Sequence, residues 1–358
     1  MMRVGVVSYP MLFQREGGLQ IQVRETIAAL NGYRGSQGGK LQVELLDPNR
    51  QRLDEFDLIH VFAAINGNHR VVESADEMGV PIVLSPLLSP GWNRANGWRA
   101  RLADRLTGRL TAWTVQTSYA HTKRALQLAQ LVIALGSAER DAIRSAFQIE
   151  ASKICVLPNG ISGHFFQADG ALFRGCFGIT GPFVLMVGAI SPYKNQLGLV
   201  QALAGMDVPV VLIGHAQRQH HAYLQQLQRD PRVRWLGSFD HGDPLLASAY
   251  AAASVLALPS QGEVFPLCVL EALAAGTPVV MTEESALRLA GSEAAVRQVR
   301  WDDRRGQRDA VAALLAAPPP RPAVRALVAD YTWRHVAERI AACYVDVLRT
   351  RQEMAGAV

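Results

Sequence analysis

The chain alternates short apolar runs with longer stretches in which apolar residues recur every three or four positions. The short runs are typical of buried parallel strands, and the longer stretches are typical of amphipathic helices. Eleven strands are predicted, at residues 4–8, 43–46, 58–62, 82–84, 131–134, 154–157, 183–187, 208–213, 233–236, 255–258 and 279–281. This alternation, repeated in each half, predicts an α/β protein of two Rossmann-like domains, each a doubly wound parallel sheet, facing across a cleft.

The domain boundaries follow from the same pattern and from a proline run at residues 318–322. We place one domain at residues 1–165, a second at 166–330, and a closing helix at 331–358 that returns to the first domain. In the first domain, Leu19, Val23, Ile27 and Leu30 recur at helical spacing, and Gly17 and Gly18 precede that helix. Glycine there lets backbone N–H groups approach a phosphate closely.

Composition narrows the class of protein. A share of 49% apolar and only 19% charged residues argues against disorder. No apolar run reaches the roughly 18 to 20 residues of a membrane span, so we expect a cytoplasmic protein without a transmembrane anchor. The net charge of +5 suggests an anionic partner such as nucleotide phosphate, lipid phosphate or a bilayer surface. The cysteines lack metal-site spacing, and we expect buried free thiols at Cys155, Cys176, Cys268 and Cys343.

The most informative stretch runs from Glu263 to Glu271, because it sets two carboxylates eight residues apart across a predicted strand-to-helix turn. Helix-forming sequence covers residues 267–275, with Pro266 suited to the first helical position and Gly276 to the C-terminal cap. The start of this helix offers unpaired N–H groups and the positive end of its dipole, which suits phosphate. A solvated loop Glu and a helix-surface Glu are the plain alternative on spacing alone.

Several predicted strands of the second half end in small or polar residues, and ligands of open α/β sheets bind beyond the carboxyl ends of strands. These loops should therefore line a site, although glycines after strands are also ordinary turn residues. The residues concerned are Gly188, Gly214, Gly237, Ser260 and Thr282.

Taken together, these stretches resemble the retaining GT-B glycosyltransferases of family GT4 over nearly the whole chain. The Glu-x7-Glu motif of that family appears as Glu263 to Glu271, followed by an Ala-rich helix and Gly-Thr-Pro-Val-Val at 276–280. Further similar stretches are 187–195 (Val-Gly-Ala-Ile-Ser-Pro-Tyr-Lys-Asn), the Asn-Gly turn at 159–160, the glycine pair at 17–18, and Tyr331-Thr332-Trp333 with Tyr344.

The resemblance implies roles for individual residues around a UDP- or GDP-linked sugar donor. Lys194 would neutralise the diphosphate, and Glu263 would bind hydroxyls of the transferred sugar. Glu271 would bind the ribose. Backbone contacts to donor atoms would come from Gly17, Gly18, Gly188, Gly214, Leu236, Phe265 and Leu267. The 1–165 domain would face the acceptor, and the 166–330 domain would bind the nucleotide sugar.

Two departures from the family pattern concern catalysis. Ala189 stands where the family often has Arg, so either Lys194 and the helix dipole suffice or another cation substitutes. Ser85-Pro86 follows the fourth strand, where some relatives have a catalytic histidine. His60 is better explained as a hydrogen-bonded structural residue. Asp302-Asp303 reads as a solvated loop, and the resemblance implies neither a metal nor another cofactor.

A basic stretch at residues 94–124 carries seven Lys or Arg against Asp104 alone, with Trp92, Trp98 and Trp113 nearby. This composition suits docking on an anionic membrane that presents a lipid-linked acceptor, and equally suits a solvated helix beside the acceptor. Nucleic-acid binding is not expected, because no recognised module accompanies the charge.

The implied activity is transfer of a hexose-like sugar to a saccharide or lipid-linked acceptor, in surface polysaccharide or glycolipid synthesis. Two other interpretations remain open. One is epimerisation of a nucleotide sugar on the same fold, and the other is a non-catalytic nucleotide-sugar sensor.

Overall fold

The computed structural model describes residues 1–14, 17–33, 41–47, 49–89, 91–111 and 115–356. The strands are β1 (Met2–Val7), β2 (Leu41–Leu45), β3 (Leu58–Phe62), β4 (Ile82–Ser85), β5 (Leu131–Ala134), β6 (Ile154–Val156), β7 (Val184–Val187), β8 (Val210–Ile213), β9 (Val233–Trp235), β10 (Val255–Leu258), β11 (Val279–Thr282) and β12 (Val296–Val299).

The helices alternate with these strands. They are α1 (Gly18–Gly32), α2 (Asn68–Glu77), α3 (Arg94–Leu110), α4 (Ser118–Leu128), α5 (Ser137–Phe147), α6 (Gly163–Phe166), α7 (Ala171–Phe177), α8 (Gln196–Ala202), α9 (His221–Leu227), α10 (Pro244–Ala252), α11 (Leu267–Ala274), α12 (Arg304–Ala316), α13 (Arg321–Ala326) and α14 (Trp333–Gly356).

The chain divides into two compact units. The first consists of Met1–Arg15, Leu19–Gly160 and Trp333–Val358, and the second of Glu16–Gly18 and Ile161–Thr332. Each unit contains one six-stranded sheet whose neighbouring strands all pair in parallel. The fold class predicted from the sequence, two doubly wound α/β sheets, is therefore confirmed.

The first sheet has the strand order β2-β1-β3-β4-β5-β6. Its central strand β3 is buried along its whole length, and every residue of it except His60 is apolar, as expected for an inner strand of a parallel sheet. The C-terminal helix α14 belongs to this unit and contributes Trp333, Val336, Ile340 and Tyr344 to a core shared with β1 and β3. Gly97 of α3 is required by packing, since a Cβ atom there would lie 2.4 Å from the Ala146 Cα atom.

The second sheet has the order β12-β11-β10-β7-β8-β9. Its apolar core packs β7, β8 and β10 against helices α8, α9 and α12. The edge strand β12, with the sequence Val-Arg-Gln-Val, is the one strand that the sequence did not predict. Its side chains are exposed or only half-buried, so it lacks the apolar run that marks the buried strands.

Candidate donor-binding site

The carboxyl edge of the second sheet is built from glycine-ended strands. Gly188, Gly214 and Gly237 follow the neighbouring strands β7, β8 and β9, and each has a positive φ angle. Backbone bonds tie the three loops together, because Gly188 N donates to Ile213 O and Gly214 N donates to Gly237 O. These strand ends therefore lie side by side at one edge of the sheet, and that they line a ligand site stays a prediction.

Gly214 has a specific steric reason to be glycine. A Cβ atom there would lie 1.9 Å from the Gly188 carbonyl oxygen, so a larger residue would push the ends of β7 and β8 apart. Trp235 fixes the same corner by donating its indole N–H to the Gly214 carbonyl at 2.9 Å. Leu236 continues the ladder by donating its N–H to Leu212 O at 3.0 Å.

The loop after β7 carries Lys194 at the end of a short 3₁₀ turn, Pro192–Lys194. The Ser191 side chain caps this turn by accepting from the Lys194 N–H. Tyr193 connects the loop to the segment after β10, since its hydroxyl donates to Gly262 O at 2.7 Å and its carbonyl accepts from Gln261 N at 2.9 Å. The Lys194 loop and the Glu263 loop are thus held together by direct hydrogen bonds.

Lys194 and Glu263 form an ion pair, with Lys194 Nζ 2.5 Å from Glu263 Oε1. Both side chains are mostly buried, with 23% and 12% of their surface exposed. Burial is the largest influence on the pKa of Lys194 and lowers it, but the combined effects of the Glu263 carboxylate, Cys268 and Tyr193 outweigh it, so the pKa is raised and the ammonium stays charged. The two residues predicted to serve catalysis are brought into direct contact.

The segment from Glu263 to α11 is anchored at both ends. Glu263 N donates to Glu284 O at 2.8 Å, and Glu263 pairs in parallel with Ser285 as an isolated bridge. Pro266 stands at the N-cap with an extended backbone, one residue before the helix, so its predicted first helical position is wrong. Proline has no backbone N–H, but an N–H at the N-cap would make no hydrogen bond within the helix, so none is lost. Gly276 ends the helix with a φ angle of 83°, as predicted.

Glu271 is buried within α11 and already accepts two side-chain hydrogen bonds. The Tyr250 hydroxyl donates to Oε2 at 2.7 Å, and His241 Nε2 lies 2.9 Å from Oε1. Burial, and next the Glu271 charge, raise the pKa of Tyr250 well above its usual range, so the phenol remains a donor. A carboxylate has about four lone-pair sites, so each oxygen retains capacity for a further donor.

Sequence reasoning missed both partners of Glu271. His241 lies in the loop between β9 and α10. Because ligands bind beyond the carboxyl ends of strands, a polar residue in this loop is a candidate from the sequence alone. Tyr250 gives no such signal, because α10 is apolar and buried on nearly every side. Phe165 packs against both partners of Glu271, tilted against His241 and edge-on to Tyr250, at ring-centroid distances of 5.4 and 5.7 Å.

Other predicted backbone contacts lie near the start of α11. Phe265 and Leu267 are each 8% exposed. Gly18 groups with the second unit, and a Cβ atom on it would lie 4.0 Å from Leu267 Cδ1. It is the first residue of α1, whereas the sequence placed both Gly17 and Gly18 before that helix.

His60 is a structural core residue of the first unit. It lies at the middle of β3, with Nδ1 2.7 Å from the Tyr344 hydroxyl and Nε2 2.9 Å from Ser85 Oγ. Complete burial lowers its pKa to about 3, so the ring is neutral near pH 7. Asp302 pairs with Arg300, and Asp303 caps α12 by accepting from Gly306 N, so both acidic residues have structural partners.

The basic stretch resolves into α3 and α4. Trp92 is partly buried and packs on Phe147 and Tyr119 at the edge of the core. Trp98 is 60% exposed and begins an exposed apolar stripe on α3, at the helical spacing of Leu102, Leu106 and Leu110. Trp113 falls outside the described residues. Among the residues described, no helix has the length and apolarity needed to cross a bilayer.

The cysteines correct a second expectation. All four are free, but none is buried: Cys176 is exposed, and Cys155, Cys268 and Cys343 are partly exposed.

Comparison with known proteins shows similarity to sugar-transferring enzymes. Residues 181–316 match the family model for glycosyl transferases group 1. D-inositol 3-phosphate glycosyltransferase of Segniliparus rotundus is 30% identical over 224 residues, covering 57% of this chain and 49% of the relative. Glycogen synthase of Mycobacterium tuberculosis is 27% identical over 311 residues, covering 80% and 68%. The chain thus spans about half to two thirds of the length of these relatives.

Among solved structures, sucrose-phosphate synthase from Thermosynechococcus elongatus superimposes with a TM-score of 0.72 at 19% identity. The match covers 98% of this chain and 100% of that structure. The fold is therefore GT-B, and the match to the glycosyl transferases group 1 model, residues 181–316, falls within the second unit.

Proposed function

We propose that this chain is a retaining glycosyltransferase of the GT4 type. It moves a hexose-like sugar from a UDP- or GDP-linked donor to a saccharide or lipid-linked saccharide. The observation that carries the proposal is the Lys194–Glu263 ion pair on loops tied to each other, followed by Glu271 inside the same strand-to-helix segment. The resemblance of 181–316 to group 1 glycosyl transferases supports it independently.

The donor diphosphate would meet Lys194 and the first N–H groups of α11. The ammonium has three donors and commits one to Glu263, so two remain for phosphate oxygens. Glu263 would at the same time accept from hydroxyls of the transferred sugar. Pairing the two side chains therefore fixes the sugar and the diphosphate relative to each other.

Glu271 would accept from the ribose diol through the lone pairs that Tyr250 and His241 leave available. Because both oxygens are already held, the carboxylate is oriented before a nucleotide arrives. Such preorganisation lowers the entropic cost of binding.

In the transfer step, the bond between the anomeric carbon and the phosphate oxygen breaks, and a bond to the acceptor oxygen forms on the same face. Because the acceptor attacks on the face that the phosphate leaves, no protein nucleophile is needed, and the departing diphosphate takes the acceptor proton in place of a protein base. Lys194 stabilises the charge that grows on the leaving phosphate, in a largely desolvated position. Ala189 supplies no charge, and Lys194 is the one basic residue of the loop at 188–195, so removing Lys194 should slow this step.

The acceptor would be presented by an anionic membrane surface docking on α3. This helix carries the exposed apolar stripe that begins at Trp98, beside Arg101, Arg105 and Arg109. Apolar side chains flanked by basic ones match the interface of an anionic bilayer. We accordingly propose a cytoplasmic enzyme that acts peripherally at the inner face of the membrane.

A coupled assay tests the proposal. The purified chain is first screened with UDP, GDP and their sugars, since a ligand at a hundred times its Kd adds roughly 2.7 kcal/mol of stability. The sugar donor that binds is then incubated with and without saccharide and lipid-linked acceptors. We expect release of the nucleoside diphosphate that requires acceptor, with retained anomeric configuration in the product.

The same assay separates the alternatives. An epimerase would convert the donor sugar without acceptor and without releasing diphosphate. A sensor would bind the donor and turn nothing over. Either result would overturn the proposed transfer activity.

A further inference from the structure

Two cysteines that are 188 residues apart in the sequence meet in the first unit. Cys155 lies in β6 and Cys343 in α14, and their Sγ atoms are 4.0 Å apart. Both are free thiols. A disulfide bond holds its sulfurs about 2.05 Å apart, so closing the pair requires each sulfur to move by about 1 Å.

Both cysteines line one cavity of about 930 Å³. It lies at the amino ends of β4, β5 and β6, where Pro81, Gln130 and Lys153 precede these strands. Cavities of this size accommodate small organic molecules. A low-molecular-weight reagent can therefore reach the two partly exposed thiols.

The surroundings distinguish the two thiols. Cys343 donates a hydrogen bond to the Cys155 sulfur, and Arg339 lies nearby. These two effects, the hydrogen bond first, lower the pKa of Cys155 to about 6 against the opposing effect of burial. The bond to Cys155 and burial raise the pKa of Cys343. Cys155 is thus the nucleophile, and Cys343 is placed as the resolving thiol.

We propose that Cys155 and Cys343 form a modification site, a dithiol that a small disulfide oxidises to an intramolecular disulfide joining β6 to α14. The Cys155 thiolate attacks one sulfur of the reagent, forms a mixed disulfide and expels one small thiol. Cys343 then gives its proton to solvent and attacks the Cys155 sulfur, expelling the second small thiol. Two protein thiols are oxidised, and one reagent disulfide is reduced to two thiols.

The bond would restrain the helix that closes the first unit. Helix α14 begins at Trp333, where the chain leaves the second unit, and Cys343 lies near its middle. A covalent link to β6 therefore acts on the segment through which the chain returns to the first sheet.

The experiment uses the full-length C176S variant, which lacks the exposed thiol. The reduced protein is equilibrated with glutathione at graded ratios of oxidised to reduced form, quenched in acid and alkylated under denaturing conditions. We expect three alkylatable thiols to fall to one, with no glutathione retained and a peptide pair linked through residues 155 and 343. Amide exchange in α14 should slow on closure and recover when dithiothreitol reduces the bond.

The order of attack is tested with both thiols in place. A brief exposure of the reduced C176S protein to limiting iodoacetamide should label Cys155 well before Cys343, and C176S/C343S should retain one glutathione at Cys155 because no second thiol is left to resolve the mixed disulfide. Glutathione that stays on Cys155 in the C176S protein, with no linked peptide, would overturn the proposal. So would modification that favours Cys343, or exchange in α14 that is indifferent to oxidation.

Discussion

At the scale of single residues, the proposed function assigns ribose binding to Glu271. We expect Glu271→Ala to weaken the nucleoside diphosphate itself. A carboxylate that accepts from a hydroxyl contributes about 1.5 to 3 kcal/mol per bond, which corresponds to roughly 10- to 100-fold in Kd. Isothermal calorimetry with the diphosphate that binds the wild type measures this directly.

Glu263→Ala should have a different effect from Glu271→Ala, because the proposed partner of Glu263 is the transferred sugar and not the nucleotide. We expect transfer to fall while the diphosphate Kd stays within a few-fold of wild type. Glu293→Ala, on an exposed residue of the same unit, is the matched control and should change neither quantity. Equal loss of diphosphate affinity in the Glu263 and Glu271 variants would refute the division of roles.

Because His60 is buried in the neutral form, we expect the free energy of unfolding of the first unit to depend on pH. The pKa of His60 falls from about 6.5 in an unfolded chain to about 3 in the buried site. Between these values the unfolded state binds the extra proton, so stability declines as pH falls. From pH 7 to 4.5 the His60 contribution should shrink by about 2 to 3 kcal/mol.

The measurement is the difference between wild type and His60→Gln in urea unfolding across that range. A difference is needed because Glu139 acts with the opposite sign: burial raises its pKa to about 7, so its ionisation costs stability as pH rises. We expect the variant to be less stable at pH 7 and to lose less on acidification. Replacing the exposed His215 with Gln should leave the slope unchanged, and parallel wild-type and His60→Gln slopes would contradict the prediction.

The sequence could name Glu263, Glu271 and Lys194, because each lies in a local motif at fixed spacing. It could not show that Tyr250 and His241 contact Glu271, which they reach from a helix and a loop 21 and 30 residues away. Nor could it pair Cys155 with Cys343. Such contacts depend on how helices and strands pack together. The apolar pattern of a sequence predicts the helices and strands, but it does not predict which of their side chains meet.

At the scale of elements, the close approach of β7 and β8 shapes the donor site. Gly214→Ala would place a Cβ atom against the Gly188 carbonyl at a φ angle of 154°. Strain and overpacking together should cost about 2 to 5 kcal/mol, and nucleotide binding should weaken with it. Thermal unfolding with and without nucleotide measures both effects.

Gly181→Ala is the control for this change, since a Cβ atom at Gly181 meets nothing within 4 Å. If the two Ala variants were nearly equal in stability, the loops after β7 and β8 could move apart at little cost. That result would contradict the steric explanation for glycine at position 214.

Helix α3 tests the membrane proposal. If Arg99, Arg101 and Arg105 face an anionic bilayer, each contributes on the order of 1 kcal/mol, so the triple Gln variant should bind about a hundredfold more weakly. Vesicle co-sedimentation at low and raised salt measures this, because screening should diminish the electrostatic part. A triple Gln variant of the exposed Arg229, Arg304 and Arg305 keeps the same net charge as the test variant and should bind like wild type. If wild-type binding did not change with the anionic lipid content of the vesicles, α3 would not be a membrane-docking surface.

Strand prediction was most accurate for apolar runs bounded by turn residues, and it missed the edge strand β12. Fully buried strands such as β3 and β10 match the predicted residues at both ends, since an apolar run bounded by turn residues permits one placement. The edge strand β12 has charged and polar residues between two valines and offers no such run. Its place is fixed by pairing with β11, which only the folded sheet provides.

At the scale of the whole molecule, each unit has a core of its own, so ligand effects can be assigned to one or the other. The proposed donor site uses second-unit residues, including the Gly17–Gly18 segment that groups with that unit. Saturating nucleoside diphosphate should therefore protect amides locally in the second unit. We expect slower exchange in the Gly188–Lys194 loop, around Gly214, and at the start of α11.

Short labelling times in native buffer are required, because exchange then reports local opening and not global unfolding. Under those conditions the strands β3 to β5 of the first unit should exchange at the same rate with and without nucleotide. The Glu271→Ala variant, at the same nucleotide concentration, should lose most of the protection in the second unit. Protection spread evenly over both sheets would mean that the nucleotide acts by stabilising the whole chain, and the donor site proposed on the second sheet would then be wrong.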